Sequence, residues 1–158
     1  MKSLKILIAC VLALAMSPLF AQDKAAMDSM RVLQDKIKAD KKPMVAANMD
    51  LTDAEAKGFW PIYEDYQKEL KKINERTAAL IVAYAKEFNA NSLTDEKAQK
   101  MIHEQIAIEE SEVRLKSSFV PKLAKVLPGK KVARYLQIEG KVRAVVKYEL
   151  ADAVPLVQ

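Results

Sequence analysis

Apolar positions recur along most of the chain at intervals of three and four residues, the period of an α-helix with one buried face. The clearest run is Tyr63, Tyr66, Leu70, Ile73, Thr77, Leu80 and Tyr84, a heptad seam that Ile62, Ile81 and Phe88 widen. Thr52-Asp53-Ala54-Glu55 opens this helix as a capping box. The Thr52 hydroxyl can accept the Glu55 N–H, and the Glu55 carboxylate can reach back to the Thr52 N–H. Pro61 falls inside the pattern. Its ring clashes with the Lys57 carbonyl and forfeits one hydrogen bond, so a kink or a break is expected near Phe59-Trp60-Pro61. Asn89-Ala90-Asn91-Ser92 reads as the turn that follows.

A second helix starts from Ser92 or Thr94, with Asp95 and Glu96 complementing its N-terminal dipole. Its apolar side is assigned to Ala98, Met101, Ile102, Ile106, Ile108, Val113, Leu115, Phe119, Leu123 and Val126, with Pro121 as a second internal kink. Leu127-Pro128-Gly129 turns into a third helix. Val132, Tyr135, Leu136, Val142, Val146 and Leu150 face inward, Gly140 weakens it locally, and Pro155 ends it. The expected lengths are roughly 38, 33 and 24 residues. Before them, Met27, Met30, Leu33 and Ile37 predict a short amphipathic helix from about Lys24 to Asp40. Asp40-Lys41-Lys42-Pro43 reads as its stop and Met44 to Met49 as a linker. The expected fold is all-α: a long antiparallel helical hairpin plus a return helix, with a short N-terminal helix or arm. The helical domain spans residues 50–154, the arm 22–49 and a tail 155–158.

Composition supports this reading. Three glycines and six prolines among 158 residues cannot supply the turns of an all-β sandwich. The first twenty-one residues have the layout of a secretory signal peptide. Lys2 and Lys5 precede the apolar run Ile6 to Met16, Ser17-Pro18 breaks it, and Leu19-Phe20-Ala21 offers a cleavage site. Leu7-Ile8-Ala9-Cys10 also matches a lipobox, but the apolar run continues past Cys10 to Ala15, where a lipoprotein turns polar. A cleaved signal places the mature protein in the periplasm. That mature chain has no cysteine, so no disulfide can staple it, and export argues against nucleic acid as a partner despite the full chain's net charge of +5.

Charge is segregated. Asp50 to Glu112 holds fourteen acidic and eight basic residues, whereas Lys116 to Tyr148 holds nine basic residues against Glu139 alone. The basic segment either balances the acidic middle of the chain or forms an electropositive surface for an acidic partner or, weakly, an anionic membrane.

Catalytic constellations are hard to build from these residues. No mature serine sits in a glycine-rich elbow, and a single histidine, His103, excludes paired Glu-x-x-His ligation. Glu109, Glu110 and Glu112 read as a solvated face, because adjacent helix positions point apart. Met27, Met30, Met44 and Met49 suit either flexible packing or a soft metal, and packing is the simpler reading. Phe59, Trp60, Tyr63 and Tyr66 read as core. The chain therefore reads as non-enzymatic, with no cofactor and no metal.

Two short motifs mark helix starts at matching places. Leu51-Thr52-x-x-Glu55 opens the hairpin and Leu127-Pro128-x-x-Lys131 opens the last helix. In this the chain, from about Asp50 to Glu149, resembles the Spy-type periplasmic family, whose members carry two LTxxQ motifs. Glu55 stands where that family has glutamine, and the second motif keeps only its leucine. The resemblance implies a small all-helical periplasmic protein, often a cradle-shaped homodimer. Members act as ATP-independent chaperones, envelope-stress adaptors or metal-responsive proteins. The expectation is a chaperone-like protein that binds unfolded or envelope proteins. Its client surface is expected to combine Phe119 and Leu123 with Lys122, Lys125, Lys130, Lys131 and Arg134. An adaptor for one specific envelope protein is the alternative, and a metal-binding periplasmic protein the second.

Overall fold

The computed structural model describes residues 41–157. The signal segment, Cys10 and the arm positions Met27, Met30, Leu33 and Ile37 lie outside the described residues. Four helices follow one another: α1 over residues 41–49, α2 Asp53–Asn89, α3 Asp95–Ala124 and α4 Gly129–Ala153. The last three contain 37, 30 and 25 residues. Among the described residues there is no strand, and the fold is all-α. No described helix is long and apolar enough to cross a membrane.

The capping box forms as its residues predict. The Glu55 N–H donates to Thr52 Oγ1 at 3.3 Å, and the Thr52 N–H donates to Glu55 Oε2 at 2.8 Å. Pro61 is carried inside an unbroken α2, so no break forms there. Asn91, at φ 49°, supplies the left-handed residue of the hairpin turn, a conformation asparagine tolerates. Pro121 is likewise carried within α3.

Residues 41–49 correct the linker reading of Met44 to Met49 and the stop at Lys41-Lys42-Pro43. They are helical, and Val45 and Met49, one turn apart, are fully buried. The burial of this pair against the other helices outweighs the local signal of a proline after two lysines. Asp50, at φ 46°, then turns the chain into α2.

The hairpin α2–α3 is the main packing surface, α4 packs back on α3, and the backbones of α2 and α4 stay apart. Aromatic rings bridge the α2–α4 gap at one end. Tyr135 of α4 lies edge-on to Phe59 at 5.1 Å and to Tyr66 at 5.8 Å, and Tyr66 meets Phe119 of α3 at 5.2 Å. Gly58 of α2 lies close against the turn after α3, where a Cβ would fall 2.8 Å from Val126 Cγ1.

Candidate functional site

The expected client surface does not assemble as a surface. Phe119 and Leu123 are only 3% and 0% exposed. They belong to the core stripe Ile108, Leu115, Phe119, Leu123, so neither can offer a contact to a client. The physical reason is periodicity: these positions share the α3 face that packs on the Tyr66 and Tyr135 rings. Lys122 lays its ammonium 4.1 Å from the Phe119 ring. Lys131 is also committed. Its Nζ donates to Glu55 Oε2 at 2.6 Å and to the Asp50 carbonyl at 2.5 Å. Arg134 donates to the Asn48 carbonyl at 3.5 Å. Of the basic residues in that expected surface, Lys122, Lys125, Lys130 and Arg134 are exposed and outside any ion pair among the described residues, and of these Lys125 and Lys130 make no side-chain contact there.

The two helix-start motifs therefore face each other. Glu55 and Lys131 hold the same motif position, and their ion pair ties the start of α2 to the start of α4. The Lys131 hydrogen bond, assisted by the Thr52 backbone, holds the Glu55 carboxyl below the usual carboxylate range.

An apolar stripe lies elsewhere on α3. Ile102, Ile106, Val113 and Val120 follow at steps of four, seven and seven residues, and they are 58%, 48%, 63% and 40% exposed. They line one side of the helix over about 27 Å. The expected apolar side of α3 merged two stripes. Ile108, Leu115, Phe119 and Leu123 face the core, whereas Ile102, Ile106 and Val113 face solvent. Two overlapping heptads carry this distinction, and a fifth buried position, between Ile108 and Leu115, is filled by a glutamate, Glu112. The stripe is bordered by both signs of charge, with Glu110 paired to Arg114 and Glu109 within 3.8 Å of Lys147.

Glu112 corrects the reading of Glu109, Glu110 and Glu112 as one solvated face. It is buried and ion-paired to Arg143 of α4, with Lys147 at 3.6 Å. The Arg143 guanidinium also donates to Asn74 Oδ1 at 2.9 Å, while its buried Nε has no hydrogen-bond partner among the described residues. Glu139 of α4, the one acidic residue of the basic segment, is also buried. It pairs with Lys41 at 2.7 Å, and Gln67 bridges the two with bonds of 2.8 and 2.9 Å. Part of the basic segment is thus taken up in balancing acidic residues. Lys131, Arg143 and Lys147 balance acidic residues, and Lys125 and Lys130 stay free on the surface.

Between α2 and α4 a cleft of about 610 Å³ opens beyond Lys41, with Arg143 and Glu112 in its lining and Leu70, Ala78, Val146 and Leu150 among its apolar walls. His103 is exposed on α3, and no group of three metal-ligating side chains gathers among the described residues.

Comparison with protein-family models, curated proteins and solved structures finds no match.

Proposed function

We propose that this chain is a non-enzymatic periplasmic protein that binds unfolded polypeptide segments, without ATP, along the exposed face of α3. The observation that carries the reading is the stripe Ile102, Ile106, Val113 and Val120, about half exposed on average along one helix face. Branched aliphatic side chains one or two turns apart make a shallow ridge with no deep pocket. Such a ridge meets any apolar side chain and imposes little shape selection, which suits a broad range of clients better than one partner. Contacts of this kind are individually weak, so a client can leave and fold. Lys125 and Lys130 stand free beyond the Val120 end of the stripe, and their charge would speed the approach of acidic chains.

The test is suppression of aggregation of a reduced, unfolded client. Ile106→Asp with Val113→Asp should abolish protection while the melting temperature stays near that of the wild type, because both side chains are exposed. Undiminished protection by this variant would remove α3 from the mechanism. One tight, stoichiometric partner in place of broad protection would favour the envelope-adaptor reading.

A further inference from the structure

The cleft between α2 and α4 has a charged end and an uncharged end. The acidic residues of its lining are each ion-paired to a cation of the same lining. Lys42–Glu64 and Lys71–Glu75 are exposed pairs, and Lys41–Glu139 and Arg143–Glu112 are buried ones. Two further lining cations, Lys68 and Lys116, stand outside any ion pair among the described residues. The cleft therefore carries surplus positive charge, and the surplus lies at one end. Lys68 follows Gln67, which bridges Lys41 and Glu139. Lys116 stands one turn from Glu112 on α3, and Arg143 one turn from Glu139 on α4. Beyond Glu75 on α2 and Arg143 on α4 the lining is Thr77, Ala78, Val146 and Leu150, and none of these is charged. The Thr77 hydroxyl donates to the Ile73 carbonyl at 3.2 Å.

The charged end also holds a donor without an acceptor. The Arg143 guanidinium reaches Glu112 and Asn74 through its other nitrogens, and its buried Nε has no hydrogen-bond partner among the described residues. A buried N–H left unpaired costs free energy, so a ligand oxygen that reaches it removes that cost as it binds. We propose that the cleft binds a fatty-acid carboxylate, with its head at Arg143 and Lys116 and its tail along Ala78, Val146 and Leu150. The carboxylate supplies the acceptor that Nε lacks and the negative charge that Lys68 and Lys116 leave unbalanced.

Size and chemistry favour an acyl chain over a stretch of polypeptide. The cleft volume of about 610 Å³ falls within the range of small-ligand sites, about 300–1,000 Å³. Leu150 lies seven residues beyond Arg143, about 10 Å along α4, a distance that a medium-length alkyl tail spans. An extended peptide would bring backbone N–H and C=O groups into the uncharged end, where the lining side chains offer only the Thr77 hydroxyl to meet them. An alkyl tail brings no such groups. The site is separate from the α3 stripe and does not rest on the chaperone reading.

Dodecanoate below its micelle concentration tests the assignment on the full chain by titration calorimetry. It should bind saturably, one molecule per chain. Dodecanol, which keeps the tail, and acetate, which keeps the head, should each bind at least about tenfold more weakly. Lys116→Gln removes a half-buried, unpaired cation, so the fold should hold; it should weaken dodecanoate on the order of tenfold and leave dodecanol unchanged. The Arg143 Nε–H resonance should move downfield with dodecanoate and stay in place with dodecanol. Ile106→Asp with Val113→Asp should bind dodecanoate as the wild type does, which separates this site from the α3 stripe. No binding of dodecanoate, equal affinity for dodecanol, an Arg143 Nε–H signal that does not move at saturation, or loss of binding in the α3 variant would each overturn the assignment.

Discussion

Gly58 shows how one side chain sets the distance between helices. Its missing Cβ would lie 2.8 Å from Val126 Cγ1 and 2.9 Å from Val126 Cβ, closer than carbon atoms pack. Gly58→Ala gains about 0.5–1 kcal/mol in helix preference but forces α2 away from the turn after α3. Overpacking of this kind costs about 1–3 kcal/mol, so the substitution should destabilise in chemical denaturation. Val126→Ala added to it should restore part of the loss, since it removes Cγ1, the nearer clashing atom, and leaves only the Cβ contact at 2.9 Å. A neutral Gly58→Ala would mean that the Val126 backbone yields. Glu112 and Glu139 make the complementary point: as glutamates in charged segments they read as surface residues, yet both are buried. Their burial follows from Arg143 and Lys41, cations brought from other helices, and no local pattern contains that pairing.

At the level of the helices, starts were legible and faces were not always so. The capping box of α2 needs only four consecutive residues, and it forms as read. Thr52→Ala should cost about 1 kcal/mol in thermal or chemical denaturation. Glu55 adds an acid dependence. Its carboxyl is held low in the fold by Lys131, so its contribution is present above the ordinary carboxylate value of 4.5 and is lost as pH falls through the lowered one. Glu55→Gln keeps an acceptor for the Thr52 N–H but gives up the ion pair. Its melting temperature should therefore change less than the wild type's between about pH 5 and pH 3. On α3 two apolar stripes share one helix, and spacing alone does not say which meets α2. The choice fell to Ile108, Leu115, Phe119 and Leu123 because these pack on Tyr66, Tyr135 and their neighbours. α1 is the other case, since Pro43 argued against a helix that the burial of Val45 and Met49 secures.

Over the whole molecule, the three tyrosines at the α2–α3–α4 junction predict how the fold fails in alkali. Burial pushes Tyr63 up to about 12, with Glu139 adding to it, and burial raises Tyr66 and Tyr135 further still. An unfolded chain ionises its tyrosines near pH 10, so the stability these groups contribute is complete below that value and lost as pH rises above it. Melting temperature should fall steeply between about pH 10 and pH 12, and tyrosinate absorbance should rise together with loss of helical signal. Tyrosinate absorbance that rose well before any loss of helix would contradict the buried junction. The all-α class, the order of α2, α3 and α4, their ends to within a few residues, the capping box of α2 and the turn around Asn91 were legible in the sequence, because each depends on contacts within a few residues. That α1 is a helix, that Phe119 and Leu123 are core, that Glu55 meets Lys131, and that Ile102, Ile106, Val113 and Val120 face outward were visible in the folded structure alone. Those outcomes depend on which helix lies opposite, and in a chain of similar amphipathic helices that is settled by how all of them pack at once.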